Sequence, residues 1–132
     1  MKKFISEKFE NLKGKTLSKV ENFDNEKLVF TTIEGEVYEL SHEQECCESV
    51  LIEDICGDLD DLIGEPLLVV EEVKNGQNIN LEGTEDFDEW MSFTWTFYKM
   101  DTRKGGVTIR FFGESNGCYS ETVDFYRIIN DN

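Results

Sequence analysis

Cysteine, histidine and clustered carboxylates are the side chains in this chain whose chemistry could go beyond packing. His42, Cys46 and Cys47 stand close together, with Cys56 and Cys118 further along. A structural zinc site takes four nitrogen or sulfur ligands, commonly from cysteines two to four residues apart. Adjacent cysteines in extended chain point to opposite sides, so Cys46 and Cys47 fit one ion poorly. Packed thiols and a surface histidine are the expectation instead. The lone histidine leaves only a Cys–His pair for nucleophilic catalysis, and nothing in the sequence orients one. Asp54, Asp58, Asp60 and Asp61 offer hard oxygens for calcium or magnesium. They lack the D-x-[DN]-x-[DN]-G loop and its distal glutamate, and helix capping explains acids at 58–61. A hydrolytic carboxylate pair needs one buried acid of raised pKa, which the sequence does not single out. No enzyme activity, catalytic residue, metal or cofactor is assigned.

The acids are unevenly spread. Residues 42–89 hold sixteen Asp and Glu against one base, Lys74, whereas the flanking segments nearly cancel. Almost all of the net charge of −16 therefore falls in about a third of the chain. Such a segment attracts cations and basic proteins and repels nucleic acid and anionic membranes. No window approaches the length of a membrane span, and no apolar stretch follows the basic start, so a cytoplasmic protein is expected.

The elements that must position these groups are mostly strands. Residues 3–12 carry Phe4, Ile5, Phe9 and Leu12 at helical spacing, which predicts a short amphipathic helix. Residues 17–22, 27–33 and 36–41 read as a meander with turns at 23–26 and 34–35. Residues 48–55 have apolar side chains of both parities, the pattern of a strand buried on both faces. Residues 58–64 read as a capped turn or two of helix, and 67–73 as a strand after Pro66. Residues 74–89 lack any period and read as a long acidic loop. Residues 90–100, 107–111 and 119–129 alternate and predict a three-stranded antiparallel sheet, with Ser115-Asn116-Gly117 as a hairpin turn. The expected class is α+β: one domain, 1–132, dominated by antiparallel sheet with one or two short helices.

Two stretches carry a resemblance. One is His42-Glu43-Gln44-Glu45-Cys46-Cys47-Glu48-Ser49-Val50, running on to Gly64. The other is Thr96-Phe97-Tyr98-Lys99, followed by Val107-Thr108-Ile109-Arg110 and Ser115-Asn116-Gly117. Over residues 38–126 the chain resembles a family of small uncharacterised proteins found largely in phages and prophage-bearing bacteria. Cys118 stands where the family pattern has tyrosine. The resemblance implies a phage setting and carries over no functional residue.

Two surfaces are candidates for binding. Asp58, Asp60, Asp61, Glu85, Asp86, Asp88 and Glu89, ending at Trp90, would present a polyanion to a basic, nucleic-acid-handling host protein, with Trp90 as anchor. This leads to the expected role: a phage-type inhibitor of a host defence effector, such as a CRISPR nuclease, acting as a DNA mimic. Alternatively, Thr94, Thr96, Tyr98, Thr108, Arg110 and Ser120 would form a polar sheet face that sequesters a nucleotide signal in a homo-oligomer. A third reading is an accessory protein without an inhibitory role. Neither direct nucleic-acid binding nor membrane binding is expected.

Overall fold

Leu28, Phe30 and Thr32 are buried and alternate with the half-buried Lys27, Val29 and Thr31. That period of two makes a strand with one face turned to a core. The computed structural model describes residues 2–45, 47–80, 90–115 and 120–130, with the side chains of 76–80, 90, 91 and 130 left aside. Nine strands run through them: β1 Lys2–Ser6, β2 Leu17–Phe23, β3 Lys27–Thr32, β4 Val37–Ser41, β5 Ser49–Cys56, β6 Val69–Asn80, β7 Trp90–Thr102, β8 Gly105–Ser115 and β9 Asp124–Asn130. All pairings between these strands are antiparallel. One sheet has the order β1-β9-β4-β3-β2 and the other β5-β8-β7-β6. The helical content among the described residues is two 3-10 turns, Phe9–Leu12 and Leu59–Leu62. No helix there is long and apolar enough to cross a membrane.

The two sheets share one core. Leu28, Phe30, Tyr38, Leu40 and Phe125 come from the first, and Val50, Ile52, Tyr98, Met100, Ile109 and Phe111 from the second. Phe9 sits edge-on to Tyr98 at 4.7 Å and to Phe125 at 5.4 Å, so it bridges the layers. Burying a side chain of that size is worth about 2–3 kcal/mol.

The meander forms as its turns predict. Glu26 N–H donates to the Phe23 carbonyl at 2.9 Å, and the central residues Asp24 and Asn25 have φ of 54° and 60°. Short Asx side chains tolerate that left-handed backbone, and Asn22 Oδ1 accepts from Asn25 N–H at 2.9 Å.

Four expectations need correction. The helix over 3–12 is replaced by β1, whose Lys2–Ser6 pair with β9. No side chain caps Lys8, so only one 3-10 turn survives. The turn or two of helix expected over 58–64 forms as one 3-10 turn, capped as expected by Asp58 Oδ1 accepting from Asp60 N–H at 3.0 Å. Strand β5 buries Val50 and Ile52 on one side only, leaving Leu51 45% exposed. Residues 74–80 are not the start of a loop, because β6 stays paired with β7 through Asn80↔Trp90. Residues 81–89 lie outside the described residues. Finally, β9 does not complete a sheet with β7 and β8. It pairs with β1 and β4 in the other layer, and β8 takes β5 as its second neighbour. Alternation identifies a strand and not its partner.

Candidate functional site

The outer face of the β5-β8-β7-β6 sheet is built from aromatic side chains. In β7, Thr96, Tyr98, Met100 and Thr102 are buried, so Phe93, Trp95 and Phe97 point away from the core. Register adds β8: Trp95 lies opposite Phe112, and Phe97 opposite Arg110. Phe112 meets Trp95 at 4.5 Å and Phe93 at 5.7 Å between ring centroids, and the Arg110 guanidinium lies 5.2 Å from the Trp95 ring. Leu51 of β5 and Val73 of β6 extend the patch and are 45% and 56% exposed. Carboxylates rim it. Arg110 Nη2 pairs with Glu53 at 3.2 Å and lies 3.9 Å from Asp54, while Glu71 and Glu114 sit at the register positions opposite Lys99 and Phe93.

This arrangement divides the polar face expected from the sequence. Thr108 and Arg110 are on the outer side, whereas Thr96 and Tyr98 are buried among the core residues. Thr94 also faces inward and donates to Glu121 at 2.8 Å. Ser120 is exposed in the segment before β9 and donates to Thr122 Oγ1. The six residues therefore do not form one surface. Strict alternation leaves both assignments open, and in the fold the side bearing Thr96, Tyr98 and Met100 is the core side.

The acidic contact residues are divided as well. Asp58, Asp60 and Asp61 flank or form the second 3-10 turn, beside the β7–β8 hairpin. Thr102 Oγ1 donates to the Asp61 carbonyl, and Lys104 Nζ donates to the carbonyls of Asp60 at 3.1 Å and Ile63 at 2.8 Å. Trp90 begins β7 at its other end, twelve residue steps from Thr102 and so on the order of 40 Å away along the strand. Glu85, Asp86, Asp88 and Glu89 lie outside the described residues. Asp58, Asp60 and Asp61 thus share no compact patch with Trp90.

Sequence reasoning missed a buried polar corner. The last β4–β9 pair is Ser41↔Asp124 and the first β5–β8 pair is Ser49↔Glu114, so one two-stranded ribbon passes from sheet to sheet. Ladder hydrogen bonds stop at the bend, and side chains replace them. His42 Nδ1–H donates to the Thr122 carbonyl at 2.7 Å, which leaves Nε2, 2.9 Å from Glu48 Oε2, to share the remaining proton with that carboxyl. The His42 and Glu48 side chains are 4% and 0% exposed, correcting the expectation of a surface histidine. Glu45 N–H and Gln44 Nε2 also donate to the Glu48 carboxylate, at 3.1 and 3.2 Å. Beside them Glu121, also buried, accepts from Ser115 Oγ and Thr94 Oγ1. Gly113 permits this approach, because a Cβ there would lie 2.9 Å from Glu121 Cβ. The only trace in the sequence is the close spacing of His42, Gln44 and Glu48.

Both ring nitrogens of His42 are thus occupied by protein groups. Cys47 is disulfide-bonded, with a partner outside the described residues, and Cys56 is an exposed free thiol. Cys56 donates to Asp54 Oδ2 at 3.3 Å, and this bond pushes its pKa up. Neither is the packed free thiol expected, and Cys46 and Cys118 lie outside the described residues. Among those residues, no group of three or more His, Cys, Asp or Glu is placed to hold a metal ion.

Comparison with known proteins adds one finding. The model of a domain of unknown function, DUF7448, matches residues 10–125, a range that takes in β2 to β8 and leaves out β1 and most of β9. No curated protein and no solved structure matches the chain.

Proposed function

The chain belongs to the DUF7448 family, and from that premise we propose that it is a non-catalytic binding protein whose partner docks on the aromatic face of the four-stranded sheet. The observation that carries this reading is the stack of Arg110, Trp95 and Phe112 on a solvent-facing surface. An outward sheet face in a monomer is usually polar, whereas Trp, Phe and Arg are the residues that anchor interfaces. Charge selects the partner. A net charge of −16, with Glu53, Asp54, Glu71 and Glu114 around the patch, favours a basic protein and speeds its encounter. In its most specific form, the partner is a host DNA-handling enzyme such as a CRISPR nuclease, and a phage-type protein inhibits it in the host cytoplasm. The acids then steer association and the aromatic face holds the complex.

The nucleotide-sponge reading has less support, because Arg110 is shared with Glu53 and Asp54 and three of its supposed partners face inward. The test is a pull-down of tagged protein from host lysate at low and high salt, comparing wild type with Trp95→Ala. Loss of the captured protein by at least tenfold, about 1.4 kcal/mol, is expected for Trp95→Ala. Asp58→Asn with Asp60→Asn and Asp61→Asn should change mainly the salt dependence. Undiminished capture by Trp95→Ala refutes the reading. So does a wild-type oligomer that this substitution converts to monomer with no partner lost.

A further inference from the structure

The edge of a β-sheet is a row of peptide groups whose hydrogen bonds must be satisfied, and folded proteins guard such edges against stray pairing. Each sheet here has two edges, and on three of the four the described residues show a guard. β1 is five residues long and carries Lys2 and Lys3. β2 is interrupted by a bulge between Leu17 and Lys19, and Thr16 and Leu17 bridge to Pro66 and Ile63. β5 has a bulge between Ile52 and Asp54, and Ile52 N–H donates to the Asn25 carbonyl at 2.7 Å.

β6 is the exception. Just before it the edge is closed, because Gly14 N–H donates to the Leu67 carbonyl and Leu67 N–H to the Lys15 carbonyl. From Val69 to Asn80 it then runs for twelve residues in unbroken register with β7 and without proline. Among the described residues it makes no backbone hydrogen bond to any segment except β7. In an antiparallel pair every second residue of an edge strand turns its N–H and C=O away from its neighbour. We propose that this open edge receives an extended segment of the partner as an additional antiparallel strand, in which an aliphatic residue is followed by two basic ones. The proposal takes from the reading above only that the partner is basic.

Side chains select this occupant. Arg110 of β8, Phe97 of β7 and Val73 of β6 are cross-strand neighbours in one row of the outer face. The row stops at Val73, which is 56% exposed with no described strand beyond it. An aliphatic side chain opposite Val73 continues the row. In antiparallel register the next two residues of the incoming strand fall opposite Glu72 and Glu71, where Lys or Arg is favourable. Glu71 is exposed and has no ion pair among the described residues, and the 3.7 Å pair of Glu72 with the 46% exposed Lys74 is weakened by solvent. A second copy of the chain would set one net charge of −16 against another, which disfavours it as the added strand. Strand addition draws its affinity from main-chain bonds and its selectivity from alternate side chains, and β6 offers both.

The probe is a short threonine-rich peptide containing one isoleucine followed by two arginines, titrated into the full chain while magnetic resonance follows the backbone amides. Saturable binding is expected, with amide exchange slowed in β6 and unchanged in β2 and β5. Methylating every second backbone nitrogen of the peptide, in each of the two phases, should weaken binding about fivefold or more in one phase only. Replacing the arginines by glutamates should weaken it as much. Val73→Lys should do the same with little change in unfolding midpoint, since Val73 is a surface residue. Equal affinity of the two methylated peptides overturns the proposal, because charge attraction alone would then account for binding, and this arm needs no variant to fold. Slowed exchange in β2 or β5 in place of β6 also overturns it. So does a wild-type dimer in sedimentation that Val73→Lys converts to monomer, which gives the edge to a second copy. In the lysate pull-down, loss of the captured protein by Trp95→Ala but not by Val73→Lys overturns strand addition alone, and the reverse pattern overturns the aromatic-face reading alone.

Discussion

The buried corner predicts strong coupling between His42 and Glu48. Glu48→Ala removes an acceptor for His42 Nε2, Glu45 N–H and Gln44 Nε2, at a position whose side chain is 0% exposed. Each donor left buried without a partner costs about 1–3 kcal/mol, and breaking a buried ion pair from one side costs about 3–5 kcal/mol. The exposed Gln44 can recover bonds with water, so a loss of about 3–5 kcal/mol is expected for Glu48→Ala. His42→Ala should cost a similar amount, because it strands both the Glu48 carboxyl and the Thr122 carbonyl. The double variant must not cost the sum, since each single change already destroys the shared bond. A coupling of about 1–3 kcal/mol is expected for groups in one network. Urea unfolding followed by tryptophan fluorescence measures all four chains, with the slope checked for constancy. The total stability of such a domain is about 5–15 kcal/mol, so the single variants should still fold. A loss below about 1 kcal/mol for Glu48→Ala, or additivity within about 0.5 kcal/mol, would refute the argument.

Two further outcomes can be checked on the same purified protein. Gly57 has φ of 109°, and a Cβ there would lie 2.4 Å from the Gly106 carbonyl oxygen. Gly57→Ala should cost about 2–3 kcal/mol in urea unfolding, and Gly14→Ala, with open space around it, clearly less; equal losses would contradict the contact. Glu36 is held below its ordinary value of 4.5 by the hydrogen bond from Lys15 at 2.7 Å, with Arg127 adding to the effect. Its contribution is fully present above about pH 4.5 and is lost as pH falls through the folded value. Glu36→Gln should therefore flatten the acid limb of a stability–pH curve, and an unchanged limb would exclude the pairing.

What was legible in the sequence was local. The β2–β3–β4 meander and the β7–β8 hairpin follow from alternation over a few residues and from short turns. The partners of β1 and β9 were not legible, because Lys2↔Asn130 is a pairing across nearly the whole chain. At the amino end, Phe4, Ile5 and Phe9 have helical spacing, yet the ladder offered by β9 outweighs a short uncapped helix. In β7 the aromatic residues were visible as one face, but buried Thr96 and hydrogen-bonded Thr94 reverse the face that hydrophobicity would put inside. The corner was illegible for a related reason. Glu48 and Glu121 read as two more surface acids until the bend brings His42, Ser115 and Thr94 to them.

The position of β9 between β1 and β4 also sets an order of assembly. Residues 124–130 are made after β1 to β8, and until they emerge the five-stranded sheet lacks an interior strand. β2, β3 and β4 can pair early, and so can β7 and β8, but β1 has no neighbour to hold it. The nascent chain must therefore keep Phe30, Tyr38 and Leu40 partly uncovered until Phe125 arrives to stack on Tyr38 at 5.3 Å. Closure is late and depends on contacts of long sequence separation, a combination that slows folding and makes the unfinished chain a natural client for chaperones.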